Sequence, residues 1–411
     1  MRHAAFLTAL LALPRPASAC GQSTHVWVAL HALEHLPPGD LRDLLTAEVH
    51  RLHLVNGAMF PDGGYSPIVR DGYGETAHWE PFQTELLELI RAERPWPLEG
   101  AGAEEAVFLF GLAAHGMADQ VYDGVFLTRS QVYDAEGWAQ YSVDTSSDVV
   151  LVSREGPIEV LDRWAPWDTL VALFAGIGQP VEAETMQRGQ SSLQVALQAV
   201  AISASKPELL ADYEAQFPWA HTNLLNPQVP GSPACIGKVV AGYWETMWER
   251  LQGRFDLDGR PVVHTFPAAG SSGHPLAAAD IEARVSLVFS RAIDDATLPE
   301  RVTVADTTGA DVPVEYGLYY GDNSNVLNLW PKQDWQDGET YTVTVHPGIT
   351  SFDGLVLGAP WSFSFTAGEA PTEEGCGCHQ GGAAPMWLLA LGWMALRSSP
   401  SGRRSAAPAR R

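Results

Sequence analysis

The sequence is short of positive charge. Its 411 residues hold 25 Lys and Arg against 49 Asp and Glu, a formal net charge of −24. Seven of the basic groups (Arg2, Arg15, Arg397, Arg403, Arg404, Arg410 and Arg411) lie in the two ends, so residues 20–396 carry 18 against all 49 acids, a net −31. A body that acidic repels phosphate backbones unless metal ions intervene, which argues against nucleic-acid binding and makes divalent cations natural partners. Cysteine is scarce as well, with only Cys20, Cys235, Cys376 and Cys378. A disulfide-stapled scaffold is thereby excluded, and Cys20 with Cys235 is the one body disulfide that an oxidising compartment would permit. What remains is ordinary globular composition, 46% hydrophobic and 18% charged, enough core for two to three domains and too much for disorder over most of the length.

The ends read as addresses rather than fold. Residues 1–19 run from Met-Arg-His through an apolar stretch to Ala17-Ser18-Ala19, the pattern of a secretory signal peptide, and cleavage there leaves Cys20 as the new N-terminus. The alternative is a lipoprotein signal with Cys20 acylated. At the other end, a linker over 369–382 carries Cys376-Gly377-Cys378. An apolar run over 383–396 follows, then a basic tail over 397–411. This arrangement resembles the C-terminal sorting tails of myxobacterial surface proteins, which implies sorting and processing machinery as a partner. The fourteen-residue run is taken as a short transmembrane helix, although ~20 residues cross a bilayer comfortably. The expectation is an exported protein, held at the cell surface or outer membrane or released from it.

The body changes texture near residue 259. Residues 20–258 are patterned for helix, with apolar stripes over 39–51, 81–94, 103–120, 162–176, 190–203 and 236–253, and an expected cap at Ser23-Thr24 before Val26, Ala29, Leu30 and Leu33. Residues 262–368 instead offer short strands: Val285–Ser290, Val326–Trp330, Tyr341–His346 and Trp361–Thr366, separated by turns such as Asp337-Gly338 and Asp353-Gly354. The fold class is therefore multidomain, an all-α domain followed by an all-β sandwich. The run Phe289–Asp294 and the closing strand resemble bacterial Ig-like domains appended to surface enzymes. With no metal or nucleophile constellation of its own, this module reads as a spacer or adhesion unit joined by a polar linker, Gly253 to Gly259.

Chemistry concentrates in the helical half. His115, Asp119 and Asp123 recur at spacing four in or just beyond an apolar helix, which puts all three on one face. An apolar helix gains nothing by burying these groups unless their charge is compensated, as a divalent metal would do. A buried His bonded to a carboxylate at a capped helix end explains the motif equally well. His25 opens a helix, Asp62 sits in the turn-like Gly57–Gly64, and His78 precedes a helix started by Pro81. Four such sites in the first 125 residues tilt the reading towards metal.

The order Ser-Thr-His-x-Trp, Pro-Asp, His-Trp, His-x3-Asp is similar to the zinc-dependent phospholipase C family. It resembles most closely the catalytic domain of glycosylphosphatidylinositol-specific phospholipase D. The segments are Cys20–His25, Gly57–Asp62, Glu75–Phe82 and Val107–Asp119, and beyond about residue 150 only helical texture remains. The resemblance implies one Zn²⁺ held by Asp62, His78, His115 and Asp119. It implies a second held by His25, by Asp119 as a bridge, and by the amine and carbonyl of Cys20. A third site, normally two His and a carboxylate, falls at Asp123, Gln140 and Asp144, where oxygen replaces nitrogen and zinc affinity drops. That site is degenerate or gone.

The implied reaction is hydrolysis of a phospholipid or other phosphodiester by metal-activated water, with Asp62 and Asp119 as catalytic residues and Asp62 taking the water's proton. No organic cofactor is required. The competing readings are a metal-binding surface protein that has lost catalysis and a zinc-dependent nuclease of the same helical fold.

Overall fold

The computed structural model describes residues 21–69, 72–321 and 324–369. The helical half begins with α1 (Gln22–His35), α2 (Asp40–Thr46), α3 (Arg51–Gly63), α4 (Tyr73–His78), α5 (Glu80–Glu93) and α6 (Ala101–Val121). A π-helical turn, Tyr122–Leu127, leads into α7 (Thr128–Tyr133), then α8 (Gln140–Glu155), α9 (Trp167–Gly176), α10 (Ala183–Ala204), α11 (Pro207–Gln216), α12 (Pro218–Asn223) and α13 (Pro233–Leu251). Helix α6 is apolar on every face and buried almost throughout, as a helix at the centre of a bundle must be. Around it pack Leu54 and Phe60 of α3, Phe82 and Leu86 of α5, and Val240 and Trp244 of α13.

Two local readings change. The start of α1 has no side-chain cap of its own; Asp148 of α8 supplies it, accepting from Ser23 N (3.0 Å), Thr24 N (2.8 Å) and Thr24 Oγ1 (2.7 Å). Orphan N–H groups at a helix start take whichever carboxylate tertiary packing brings. Asp62 lies in the last turn of α3 rather than in a loop, although Pro61 beside it has no N–H to give to the helical ladder.

Helices α3 and α6 cross backbone to backbone. A Cβ added at Gly57 would stand 2.2 Å from Phe108 O, and one at Gly111 would stand 2.3 Å from Leu54 O. This close approach carries the end of α3, with Asp62, towards Asp119 of α6.

Seven strands complete the chain: β1 (Val262–Phe266), β2 (Val285–Phe289), β3 (Val302–Ala305), β4 (Val314–Leu318), β5 (Val326–Pro331), β6 (Thr340–Val345) and β7 (Trp361–Thr366). They form two antiparallel sheets ordered β1-β2-β5-β4 and β3-β6-β7. Leu287 and Phe289 face Val343, Phe363 and Phe365 in the sandwich core. Strand alternation then turns Val288 the other way, and with Phe266 and Val326 it joins the helical core. All five residues of β2 are buried for this reason.

The strand module is thus no free spacer. Glu80, 1% exposed at the start of α5, accepts from Arg250 Nη1 (2.9 Å), Arg291 Nε (2.6 Å), Ala292 N (2.6 Å) and Asn325 Nδ2 (2.8 Å). Gln120 Oε1 accepts from Asn325 N at 2.6 Å, and Arg129 pairs with Glu282 at 2.8 Å. Asp353 closes the charge balance against Arg291 at 2.5 Å. A polar linker in the sequence gave no sign of this charged seam, because its members lie up to 245 residues apart.

The expected transmembrane helix is corrected: among the described residues no helix is long and apolar enough to cross a membrane. The run that suggested it, 383–396, lies outside them, and fourteen helical residues rise about 21 Å against a hydrocarbon core of about 30 Å. The signal segment, Cys20, the Cys376-Cys378 motif and the basic tail are also outside the described residues, while Cys235 is a buried free thiol.

Two outcomes follow from the packing. Gly57→Ala should lower unfolding stability in urea by about 1–3 kcal/mol, the cost of overpacking a closed helix crossing. Glu80→Ala leaves Arg250 and Arg291 buried without their shared carboxylate and should cost about 3–5 kcal/mol in the same assay; a loss below about 1 kcal/mol would show that the seam opens without penalty.

Candidate metal centre

Five side chains from four helices converge in the bundle. His25 comes from α1, Asp62 from the end of α3, His78 from the end of α4, and His115 with Asp119 from α6. All five are buried. His25 Nε2 lies 3.1 Å from Asp119 Oδ1 and 3.9 Å from Asp62 Oδ2. His78 Nε2 lies 3.4 Å from Asp119 Oδ2 and 3.6 Å from Asp62 Oδ1. His115 Nε2 makes nearly the same approaches, 3.4 and 3.8 Å, and its ring stacks on that of His25 with centroids 3.5 Å apart. His25, Asp62 and His115 form one triplet whose ligand atoms suit a single ion; His78, His115 and Asp119 form another.

Hydrogen bonding fixes which nitrogens face inward. His78 Nδ1 donates to Gly74 O at 2.5 Å, and His115 Nδ1 donates to Ala58 O at 2.7 Å. A carbonyl only accepts, so both Nδ1 atoms carry their protons, and in the neutral rings both Nε2 atoms present bare lone pairs. Those two Nε2 atoms are 2.9 Å apart. Two lone pairs at that separation, faced by two carboxylates, require positive charge among them. The donor set, imidazole nitrogen with carboxylate oxygen and outer nitrogens held by backbone carbonyls, fits zinc.

The electrostatics of the protein alone express the same demand. Burial opposes a charge on His78, but Asp62 and Asp119 outweigh it and push the imidazole up to about 9. Burial likewise opposes charge on His25, and Asp119 and Asp62 again raise it. His115 is lowered by burial and by His25. Asp119, despite burial, is held well below the usual carboxylate range by His25 and His115; Asp62 is lowered by His115, His78 and His25 against its own burial. Gln22 Nε2 steadies Asp62 by donating to Oδ2 at 3.0 Å.

Asp123, Gln140 and Asp144 form a second layer behind this group. Asp123 stands in the π-helical turn, a feature often found beside functional sites. Its Oδ2 accepts from Gln140 Nε2 and from Tyr319 Oη, both at 2.6 Å, while Oδ1 has no hydrogen-bond partner among the described residues. Neither oxygen of Asp144 has one. Burial and the Asp119 charge raise Asp123; burial and the Asp123 and Asp119 charges hold Asp144 well above the usual carboxylate range. Cys20, the remaining sequence candidate, lies outside the described residues.

Sequence reasoning passed over several contributors. Gln22 lies inside the Cys20–His25 segment and Asp148 one helical turn beyond Asp144, yet their roles depend on contacts 40 and 125 residues away. Tyr319 and Tyr320 belong to the strand module, whose sequence carries no ligand pattern. Tyr320 Oη donates to Glu75 Oε1 at 3.0 Å, and its ring stacks on Trp79 with centroids 4.3 Å apart and an interplanar angle of 11°.

Comparison with known proteins agrees with this division. The phosphatidylinositol-glycan-specific phospholipase D of Rattus norvegicus is 32% identical over 149 residues, 32% of this chain and 17% of that protein. The Mus musculus protein of the same name is 31% identical over 184 residues, covering 39% and 22%, and that of Homo sapiens is 36% identical over 110 residues, covering 25% and 13%. The matches thus span about a fifth or less of the length of these relatives. Residues 24–122, which hold His25, Asp62, His78, His115 and Asp119, match the zinc dependent phospholipase C family, and residues 259–367 match the bacterial Ig-like domain; the chain joins a region similar to the first to a module similar to the second.

Proposed function

We propose that the protein is a zinc-dependent phosphodiesterase that hydrolyses phospholipid. The observation that carries the reading is the pair of Nε2 atoms of His78 and His115, 2.9 Å apart and facing Asp62 and Asp119, with both outer nitrogens tied to carbonyls. Asp62, His78, His115 and Asp119 would hold one ion. His25 and the bridging Asp119 would hold a second, with the amino end at Cys20. Bound there, zinc supplies Lewis-acid polarisation of a phosphoryl oxygen and lowers the pKa of the attacking water.

The chain's own groups do the rest. Asp62 stays ionised at neutral pH because three imidazoles hold its carboxyl low, and its place beside the proposed ions makes it the acceptor for the water's proton. Gln22 fixes Asp62 Oδ2, which turns Oδ1 towards His78 and His115. In the net reaction the water oxygen bonds to phosphorus, one phosphorus–oxygen ester bond breaks, and the departing alkoxide takes a proton. Burial of all five residues leaves little solvent to screen the charges they carry or face, which strengthens their electrostatic interactions. Export and a place at the cell surface belong to this reading and rest on the sequence of the two ends.

A second reading, metal binding without turnover, has one observation in its favour: Asp123 Oδ2 is already committed to Gln140 and Tyr319. Activity separates the two. The zinc-loaded full chain should hydrolyse phosphatidylinositol or phosphatidylcholine vesicles, lose that activity on chelation and regain it with added zinc. Asp119→Asn should lower kcat/KM at least ~100-fold, about 2.7 kcal/mol, since it removes the charge shared by both ions. Zinc-bound wild type inert towards both lipids would favour the second reading, and cleavage of single-stranded DNA instead would move the assignment to a nuclease.

A further inference from the structure

Three consecutive residues tie the metal centre to the strand module. His78 faces the centre, Trp79 stacks on Tyr320, and Glu80 anchors Arg291, Ala292 and Asn325. Tyr319 and Tyr320 directly follow β4, and Tyr319 N still bonds Val326 O of β5 at 3.0 Å, so the sheet aims both rings. The Tyr319 ring lies against the π-helical turn, where a Cβ added at Gly124 would meet it at 3.3 Å, and its hydroxyl reaches Asp123 at 2.6 Å. A larger residue at 124 would push it away.

Tyr320 faces outward. It is 49% exposed, while the Trp79 ring beneath it lies 6.4 Å from the His78 ring and the Tyr65 ring lies 5.1 Å from His78 on another side. Glu75 gathers these aromatics, accepting from Tyr65 Oη (2.5 Å), Trp79 Nε1 (2.9 Å) and Tyr320 Oη (3.0 Å). With three donors on two oxygens, Glu75 acts as a strut rather than as a free charge. The result is an aromatic wall beside an inward-facing imidazole, with Tyr65 and Trp79 from the helical region and Tyr320 from the strand module. A phosphodiester whose phosphorus entered the buried centre would keep its organic groups outside, against this wall.

We propose that the Ig-like module is a working part of the site: Tyr320, stacked on Trp79, is a specificity-determining residue for the organic headgroup of the diester. The inference rests on the phosphodiesterase reading and goes beyond it, because the helical region alone would then lack part of its substrate wall. A stacked ring that is half open to solvent contributes modestly beyond its area, enough to alter headgroup preference without creating or abolishing turnover.

The test uses the full zinc-loaded chain, with KM and kcat measured on phosphatidylinositol and phosphatidylcholine vesicles, alongside zinc per chain and Tm. Tyr320→Ala should raise KM about tenfold on the preferred lipid and shift the ratio of kcat/KM between the two lipids. Tyr320→Trp, which keeps a stacking ring, should restore that ratio, and Tyr320→Phe should fall between. Lys332→Ala, an exposed change on the same module, serves as the control with unaltered kinetics. If Tyr320→Ala folds poorly, the Phe and Trp variants carry the comparison. A lowered Tm with wild-type KM and headgroup ratio in the Tyr320 series overturns the inference and leaves the phosphodiesterase reading standing. A wild type that binds zinc and hydrolyses neither lipid overturns both.

Discussion

Two imidazole nitrogens 2.9 Å apart, each with its opposite nitrogen committed to a backbone carbonyl, are the constraint on which the helical half is organised. Such an arrangement is unfavourable without positive charge, and every neighbouring feature answers that demand. Asp62 and Asp119 supply negative charge around the gap, and His25 covers it by stacking on His115. The protein alone meets the demand only by raising His78 and His25, against burial that would otherwise lower both. A bound cation would remove the conflict directly, and the donor set is one that could hold it.

The second organising feature is the charged seam. Burying Glu80 with two arginines costs desolvation, and the return is specificity of docking rather than raw stability, as with other buried ion pairs. Here the docking has a direction. Because Glu80 is two residues from His78, the same contacts that seat the sandwich also fix the end of α4 and the wall formed by Trp79 and Tyr320. Apolar packing alone, through Phe266, Val288 and Val326, would tolerate sliding; the directional bonds to Glu80 and Gln120 do not.

Much of this was legible in the residues. A switch from period 3.6 to period 2 near residue 259 separated helices from strands, and the change falls between Leu251 and Val262. The spacing of His115 and Asp119 placed both on one face of α6, because four residues in a helix return nearly to the same azimuth. Asp62 and His78 could be named as candidates from their local motifs, but not the distances between them. Those distances depend on the glycine crossing of α3 and α6 and on the turn of chain between α4 and α5, neither of which periodicity encodes.

The sequence by itself therefore determined the kinds of element, the identity of the chemically able side chains and the acidity that disfavours polyanions. These are properties of composition and of short-range spacing, where a residue's neighbours in the chain are its neighbours in space. Tertiary structure alone decided that Asp148 caps α1, that Asp123 is held by Gln140 and Tyr319, and that Tyr320 of the strand module bonds Glu75. Each of these is a contact between groups separated by 17 to 245 residues. At such separations no local pattern constrains the partner, and only close packing of the two modules selects it.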